Sequence, residues 1–376
     1  AMCALAENWV LGSMSGTSLD GVDVALVKTD GHSIIAFGPS FYRPYCEQER
    51  AVLTRALGQW PGGAGVAEAG SVVEVAHIEA MRALESQADM RADLIAFHGQ
   101  TLAHDPAGRG THQVGQGARL AVALGRPVVW DFRSCDVAAG GQGAPLAPFF
   151  HFACARYLGA KLGQSGPMVF LNLGGVGNIT WVDPAMAGPD APLACVAFDT
   201  GPANAPINDL MQARLGVGFD NGGALAATGR VNLGVVSTFL AHPYFAKLPP
   251  KSLDRDSFVG LQSQVAGMAD ADAAATLVAV AAAGVAAGLR HLPTAPERVF
   301  VGGGGRHNAA LMAALGQQMS CPIAPVEAVG LDGDMLEAQA FGFLAARVCA
   351  GLPLSAPLTT GVPAPTLGGQ IARPPA

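Results

Sequence analysis

The feature that most constrains this chain is a pattern that occurs twice. From Trp9 to Pro39 the text reads as strand, turn, strand, turn, strand: apolar residues at Trp9 to Leu11, a Gly/Ser/Thr turn, the run Val22 to Val27, Asp30-Gly31, then Ile34 to Phe37. From Met168 the same layout returns, with strands expected over Met168 to Leu173, Ile179 to Val182 and Leu193 to Phe198. The turn between the first two of these is Gly174-Gly175-Val176-Gly177-Asn178, and the third strand ends in Asp199-Thr200-Gly201-Pro202. Two glycine-turned antiparallel meanders imply a duplicated α/β plan, one copy per lobe. A chain of 376 residues is also longer than one core usually supports. A first lobe over residues 1–160 and a second over 161–376 are therefore expected, with the ligand cleft between them.

Other segments fit between the meanders. Ser71 with Glu74 three residues on reads as a capping box, and Val75, Ile78, Met81 and Leu84 recur at helical spacing. Leu94 to Phe97 and Pro127 to Trp130 read as short strands that deliver His98-Gly99-Gln100-Thr101 and Asp131 with Arg133 at their carboxyl ends. A helix is expected near 148 to 158, a strand over Arg298 to Val301, and a helix capped by Asn308, running through Met312 and ended by Gly316. Residues 334 to 349 read as the last long helix, and the Pro-rich tail after Gly361 as a surface wrap.

Composition narrows the function classes. Half of the residues are hydrophobic and 14 % are charged, with a mean hydropathy of +0.33, which describes a packed globule rather than a disordered chain. The net charge is −7 and the basic residues do not cluster, so a nucleic-acid partner is not expected. Seven scattered cysteines without a C-x-x-C pair argue against a disulfide framework or a zinc site and suit a reducing compartment. The opening Ala-Met reads as non-native residues ahead of the natural start, with no charged-then-apolar signal segment after it; a cytoplasmic location is expected. Ala273 to Leu289 carries no charge, but it is mostly Ala and Gly and reads as a buried helix rather than a membrane span.

The turn Gly16-Thr17-Ser18-Leu19-Asp20-Gly21 leaves backbone N–H groups and two hydroxyls free for phosphate oxygens, and Asp20 suits a hydrated Mg²⁺. On its own it is as readily an ordinary polar hairpin turn. The second turn, also stripped of side chains, would let two glycine turns grip one phosphate chain from two sides. Gly302, Gly303, Gly304 and Gly305, leading from a strand into a helix, would let an adenosine lie against bare backbone, although close helix–strand packing also calls for glycine. Neither G-x-x-x-x-G-K-[ST] nor a complete G-x-G-x-x-G is present, which excludes the P-loop and Rossmann readings. The order of segments is that of actin/hexokinase-like ATPases.

The resemblance then becomes specific. MSGTSLDGVD at 14 to 23, HGQT at 98 to 101, DFR at 131 to 133, AAGGQGAPL at 138 to 146, NLGGVGN at 172 to 178 and FDTGP at 198 to 202 resemble the anhydro-N-acetylmuramic acid kinases. PPKS at 249 to 252, GGGG at 302 to 305 and EAQAF at 337 to 341 continue the likeness over nearly the whole chain. Two places depart from the pattern and bear on turn geometry: Ala203 stands where glycine is usual, and Leu253-Asp254 follow PPKS in place of Thr-Gly. The resemblance implies a two-lobed actin/hexokinase-like fold with duplicated βββαβα lobes around a central cleft, and a homodimer, for which the Ala-rich helix is one candidate face. It implies a reaction in which ATP, water and 1,6-anhydro-N-acetylmuramic acid give N-acetylmuramic acid 6-phosphate and ADP in peptidoglycan recycling, with Mg²⁺ required.

The same resemblance assigns residues. Asp199 matches the aspartate that takes a proton from the water attacking C1, although as a bare residue it reads as a turn or cap aspartate. Thr101 and Arg133 match sugar-side positions, Arg133 suiting the lactyl carboxylate and His98 standing as a secondary contact. The nucleotide would meet residues 16 to 21, Val22, Asp23, Gly174, Gly175, Gly177, Asn178 and the four glycines. Asp20 and Glu337 would arrange magnesium through water. Two rival readings are an ordinary hexokinase-type kinase, in which Asp199 deprotonates a free hydroxyl, and a non-catalytic actin-like protein gated by nucleotide.

Overall fold

The computed structural model describes residues 8–254 and 256–375. Cys3 and the opening Ala-Met lie outside them. The chain forms two compact units, one of residues 8–164, 187–192 and 334–375, the other of 165–186, 193–254 and 256–333. The expected assignment of 161–376 to a second lobe is thereby corrected, because residues 334–375 return to the first unit.

In the first unit Asn8–Met14, Gly21–Thr29 and Ile34–Pro44 pair antiparallel in succession. Leu94–Phe97 adds in parallel beside Asn8–Met14, and Val128–Trp130 in parallel beside that. Counting these five in chain order, the sheet runs third, second, first, fourth, fifth. The second strand, Gly21–Thr29, is buried on both faces. Val22, Val24 and Leu26 meet Val73, Ala76, Ala80, Met81 and Leu84 of helix Val66–Ala88, while Ala25 meets Met335 and Ala338. Burying side chains such as Met81 and Leu84 contributes about 1.5–3 kcal/mol each, so this face fixes the helix more firmly than any cap does. The capping-box expectation fails: the helix begins after Gly65, and Ser71 sits inside it, its hydroxyl donating back to the Ala67 carbonyl. Glu74 instead accepts from the Gln116 amide and pairs with Arg119.

Helix Leu336–Cys349 belongs here because it presses on the first strand. A Cβ at Gly12 would lie 1.8 Å from the Ala338 carbonyl oxygen, and one at Gly342 2.8 Å from Val27 Cγ1. Only two facing glycines allow that approach. The tail after Gly361 runs over the surface as expected, and within it Gln370–Ala372 pairs antiparallel with Val128–Trp130 as a sixth strand at the sheet edge.

The second unit repeats the order. Met168–Leu173, Val176–Val182 and Cys195–Pro202 are antiparallel neighbours, and Arg298–Gly302 and Ile323–Pro325 add in parallel beside the first of them. Two α/β units with one strand order establish the duplicated actin/hexokinase-like plan. Helix Asp270–Leu289 is long and apolar enough to cross a membrane, but most of it is buried inside this unit. Gly284 and Gly288 let it approach Thr200 and Phe198. That burial removes it as an exposed face for a second copy. Asn308 does cap the helix Ala309–Gln318, accepting from the Leu311 amide, but Gly316 lies within the helix rather than ending it.

Candidate functional site

In the first unit the turn after Asn8–Met14 is closed by the Leu19 amide donating to the Gly16 carbonyl at 3.2 Å. Leu19 takes a positive φ of 57° and buries its side chain, which leaves Thr17, Ser18 and Asp20 exposed on the outer side. A Cβ on Gly16 would meet nothing closer than the Ser18 hydroxyl at 4.0 Å, so its bareness serves no internal packing. Gly21 is different, since a Cβ there would strike the Arg43 carbonyl at 2.4 Å. Val22 is core and Asp23 pairs in register with Met14. The turn is held from below by Gln100, which is fully buried, accepts from the Ser15 hydroxyl and donates to the Gly16 carbonyl at 3.1 Å.

Gln100 also opens an element that sequence reasoning missed, the hairpin Gln100–Asp105 with Gly110–Val114. Thr101 lies on this hairpin, half-buried, its hydroxyl accepting from Gln113 Nε2 at 3.2 Å. The short alternation Gln-Thr-Leu-Ala-His was its only signal.

His98 and Arg133 come together. Arg133 Nε donates to His98 Nε2 at 2.9 Å, so the proton of the neutral ring sits on Nδ1, which donates to the Gly99 carbonyl at 2.9 Å. Both ring nitrogens are thus engaged, and the buried ring is held well below the usual imidazole range by desolvation and then by the Arg133 charge. Arg133 Nη1 donates to the Gly143 carbonyl at 2.8 Å, and the guanidinium carbon lies 5.5 Å over the Phe341 ring. With Nε and one Nη1 hydrogen used, the donors left over are on the Nη1/Nη2 end, which matches a carboxylate end-on. Burial lowers the Arg133 pKa, offset by Glu337 and then Asp136. Glu337 reaches solvent, yet the surrounding protein lifts its carboxyl above the usual range while Arg133 pulls it back. Asp131, delivered beside Arg133, is occupied with the Ser134 hydroxyl and Gln370 Nε2.

In the second unit four residues line up across neighbouring strands: Asp199 opposite Asn178, Asn178 opposite Asn172, Asn172 opposite Gly302. The register slips between Asp199 and Gly201, a bulge that bends the strand where the carboxylate projects. Asp199 is half-buried and gripped three ways: Tyr244 donates its hydroxyl to the Asp199 carbonyl at 2.6 Å, the Asp199 amide donates to the Lys251 carbonyl at 3.2 Å, and the Leu253 amide donates to Oδ2 at 2.7 Å. Burial raises its pKa to about 6, the Leu253 amide opposing and Asp254 adding to the rise. A carboxylate poised there can exchange a proton with water near neutral pH. The departure at 253 touches this group only through its backbone amide, which any residue supplies. Ala203 precedes the next helix with φ −121° and ψ −97°, a pair outside the common helical and extended regions.

The second glycine turn is narrower than expected, because Val176, Gly177 and Asn178 belong to the strand Val176–Val182. Gly174 and Gly175 remain, and their carbonyls accept from the Asn204, Ala203 and Ala205 amides at the start of the next helix. A Cβ on either would meet nothing within 3.4 Å, whereas one on Gly177 would strike Thr200 Oγ1 at 2.6 Å. The four glycines divide likewise. Gly303 and Gly305 are needed for packing, with Cβ positions 2.5 Å from Asn172 Oδ1 and from Leu173 Cβ, while exposed Gly304 is open. Buried Arg306 fixes that loop, donating to the Gly303 carbonyl at 2.9 Å and pairing with Glu327. Arg306 and Tyr244 carry no sequence signal of their role.

A family profile described as anhydro-N-acetylmuramic acid kinase matches residues 8–374. A protein of that name from Cereibacter sphaeroides is 64 % identical over 97 % of this chain and 96 % of its own length. Those from a Ruegeria species and from Acidiphilium cryptum are 60 % and 49 % identical, each over 97 % of this chain and over 94 % and 98 % of their own lengths. With the repeated sheet and the two polar strand ends already described, this likeness leads to one conclusion: the chain belongs to the anhydro-N-acetylmuramic acid kinase family.

Proposed function

We propose that this protein is an ATP-dependent kinase that opens the 1,6-anhydro bridge of 1,6-anhydro-N-acetylmuramic acid with water and phosphorylates O6. The observation that carries the reading is Asp199: half-buried, held from three directions, and raised to about 6. In the reaction Asp199 takes a proton from water as the water oxygen bonds to C1. The C1–O6 bond breaks, its electron pair passes to O6, and O6 attacks the γ-phosphorus as the bond to ADP breaks. This is the base half of an inverting glycosidase, with phosphoryl capture of O6 replacing the usual general acid. Arg133 receives the lactyl carboxylate on its free end, with His98 behind it and Thr101 on the adjoining hairpin.

The nucleotide reading rests on three backbone stretches whose glycines have room to spare. These are Gly16 with exposed Thr17 and Ser18, Gly174-Gly175, and Gly304. A magnesium ion keeps most of its waters and needs one or two carboxylates. Exposed Asp20 suits such a hydrated ion, and Glu337 is the second candidate, although Arg133 competes for its charge. Held there, the ion would neutralise phosphate charge during transfer. A reducing cytoplasm is the compartment that suits seven scattered cysteines without a C-x-x-C pair.

The test is incubation with ATP, the purified anhydro sugar and oxygen-isotope-labelled water, followed by mass analysis. Label at C1 of a 6-phosphorylated product is expected. An unlabelled sugar phosphate would favour the hexokinase-type reaction instead.

A further inference from the structure

The loop Gly140 to Gly143 is strapped from behind by a carboxylate that the proposed reaction does not use. Asp136, on the helix Ser134–Ala138, is 3 % exposed. Its Oδ2 accepts from the Gly143 amide at 2.7 Å, and its Oδ1 accepts from the Ser355 hydroxyl and from the Thr360 hydroxyl at 2.7 Å. The same contact is sealed by backbone bonds, Gly141 amide to Asp136 carbonyl at 2.9 Å and Gln142 amide to Thr360 carbonyl at 2.8 Å. The glycines are required: a Cβ at Gly141 would fall 2.2 Å from Asp136 Oδ2, and Gly143 takes a φ of 72° with Val137 Cγ2 2.7 Å from a Cβ there. Gly143 therefore has one side fixed by Asp136, while its carbonyl on the other side holds Arg133 Nη1.

We propose that Asp136 is a positioning residue for Arg133, acting through the N–H and the carbonyl on either side of the Gly143 Cα and tying the C-terminal segment Ser355 to Thr360 to recognition of the substrate's carboxylate. The inference rests on the reading of Arg133 as the carboxylate contact. Both Asp136 oxygens are engaged and the side chain is buried, so it meets no ligand itself. What it supplies is a rigid acceptor for one arm of a guanidinium whose Nε is already committed to His98, together with a buried negative charge that helps Arg133 stay charged. A buried charged hydrogen bond that loses its partner usually costs more than a neutral one, and the cost falls on the geometry of the fork.

The experiment measures KM and kcat for the anhydro sugar, and competitive inhibition by the same sugar with a free hydroxyl in place of the lactyl ether. Asp136→Asn should raise KM for the acid sugar about tenfold, leave kcat within about twofold and leave the analogue's inhibition constant unchanged. Arg133→Gln should show the same selectivity more strongly. Equal weakening of both sugars, or of neither, by Asp136→Asn beside a selective Arg133→Gln overturns the proposal and spares the reading of Arg133. A non-selective Arg133→Gln overturns that reading, and this proposal with it. Should Asp136→Asn fail to fold, Thr360→Val removes one donor and keeps the carboxylate; a selective rise of about threefold supports the proposal, and an unselective or absent rise refutes it.

Discussion

Arg133 and Asp199 stand at the ends of strands in two units that share one strand order, and burial works against the charge of both, yet the charges beside them act in opposite senses. Arg133 is braced by two acceptors, His98 Nε2 and the Gly143 carbonyl, with Glu337 and then Asp136 offsetting part of the cost of burial. Among the described residues Asp199 receives one hydrogen bond on its carboxylate, while burial and Asp254 push it toward the neutral form. A group that must grip a charged ligand is kept charged and still; one proposed to take a proton is kept uneasy in its ionised state. One scaffold carries both because the strands fix position while the loops behind them set the field.

Breaking the second half of that contrast should give the largest effect. Asp199→Asn is expected to lower turnover by roughly 10² to 10⁴ while leaving ATP affinity nearly intact, measured by steady-state assay and nucleotide titration. Wild-type-like turnover would remove Asp199 from its role. In the intact protein kcat/KM should fall as pH drops through about 6, as the carboxylate takes up its proton. The same substitution should sharpen the contrast in stability. Because the folded-state pKa of Asp199 lies above its usual 3.8, ionisation opposes folding, and this penalty is complete above about 6 and absent below 3.8. The Asn variant, still able to accept from Leu253, should be more stable by ~1–2 kcal/mol at about pH 8, with the gain vanishing in acid. A variant less stable at both ends would contradict the assigned field.

Gly12→Ala probes the common scaffold rather than the fields, and should cost about 3 kcal/mol or more because the Ala338 carbonyl has nowhere to go. Gly304→Ala, with open space at its Cβ, should leave stability within about 0.5 kcal/mol while weakening nucleotide binding. Tyr244→Phe, which removes the hydroxyl on the Asp199 carbonyl, should cost about 1 kcal/mol in chemical denaturation.

Alternation and glycine turns were enough to read both meanders, because each strand has a buried face and each turn needs a bare backbone. Helix Val66–Ala88 was legible as a helix but not at its start, since Ser71-Val-Val-Glu74 has the spelling of a cap while its side chains are spent elsewhere. The return of residues 334–375 to the first unit was not legible, because it depends on Gly12 meeting Gly342 across more than three hundred residues of chain. Nor was the hairpin at 100–114, whose strands are short and polar. At the site, Asp199, His98, Thr101 and Arg133 were named from strand ends and resemblance. Gln100, Asp136, Tyr244 and Arg306 act by holding other residues, and such roles leave no local pattern.

The seating of helix Leu336–Cys349 on the opening strand also bears on how the protein is made. The ribosome delivers Gly12 near the start of synthesis and its partner Gly342 near the end. At roughly 5–20 residues per second that gap lasts on the order of tens of seconds. The second unit, continuous apart from a six-residue interruption at 187–192, has all of its strands before the first unit receives its last helix and edge strand. The half of the molecule translated first is therefore the half that must wait longest to close.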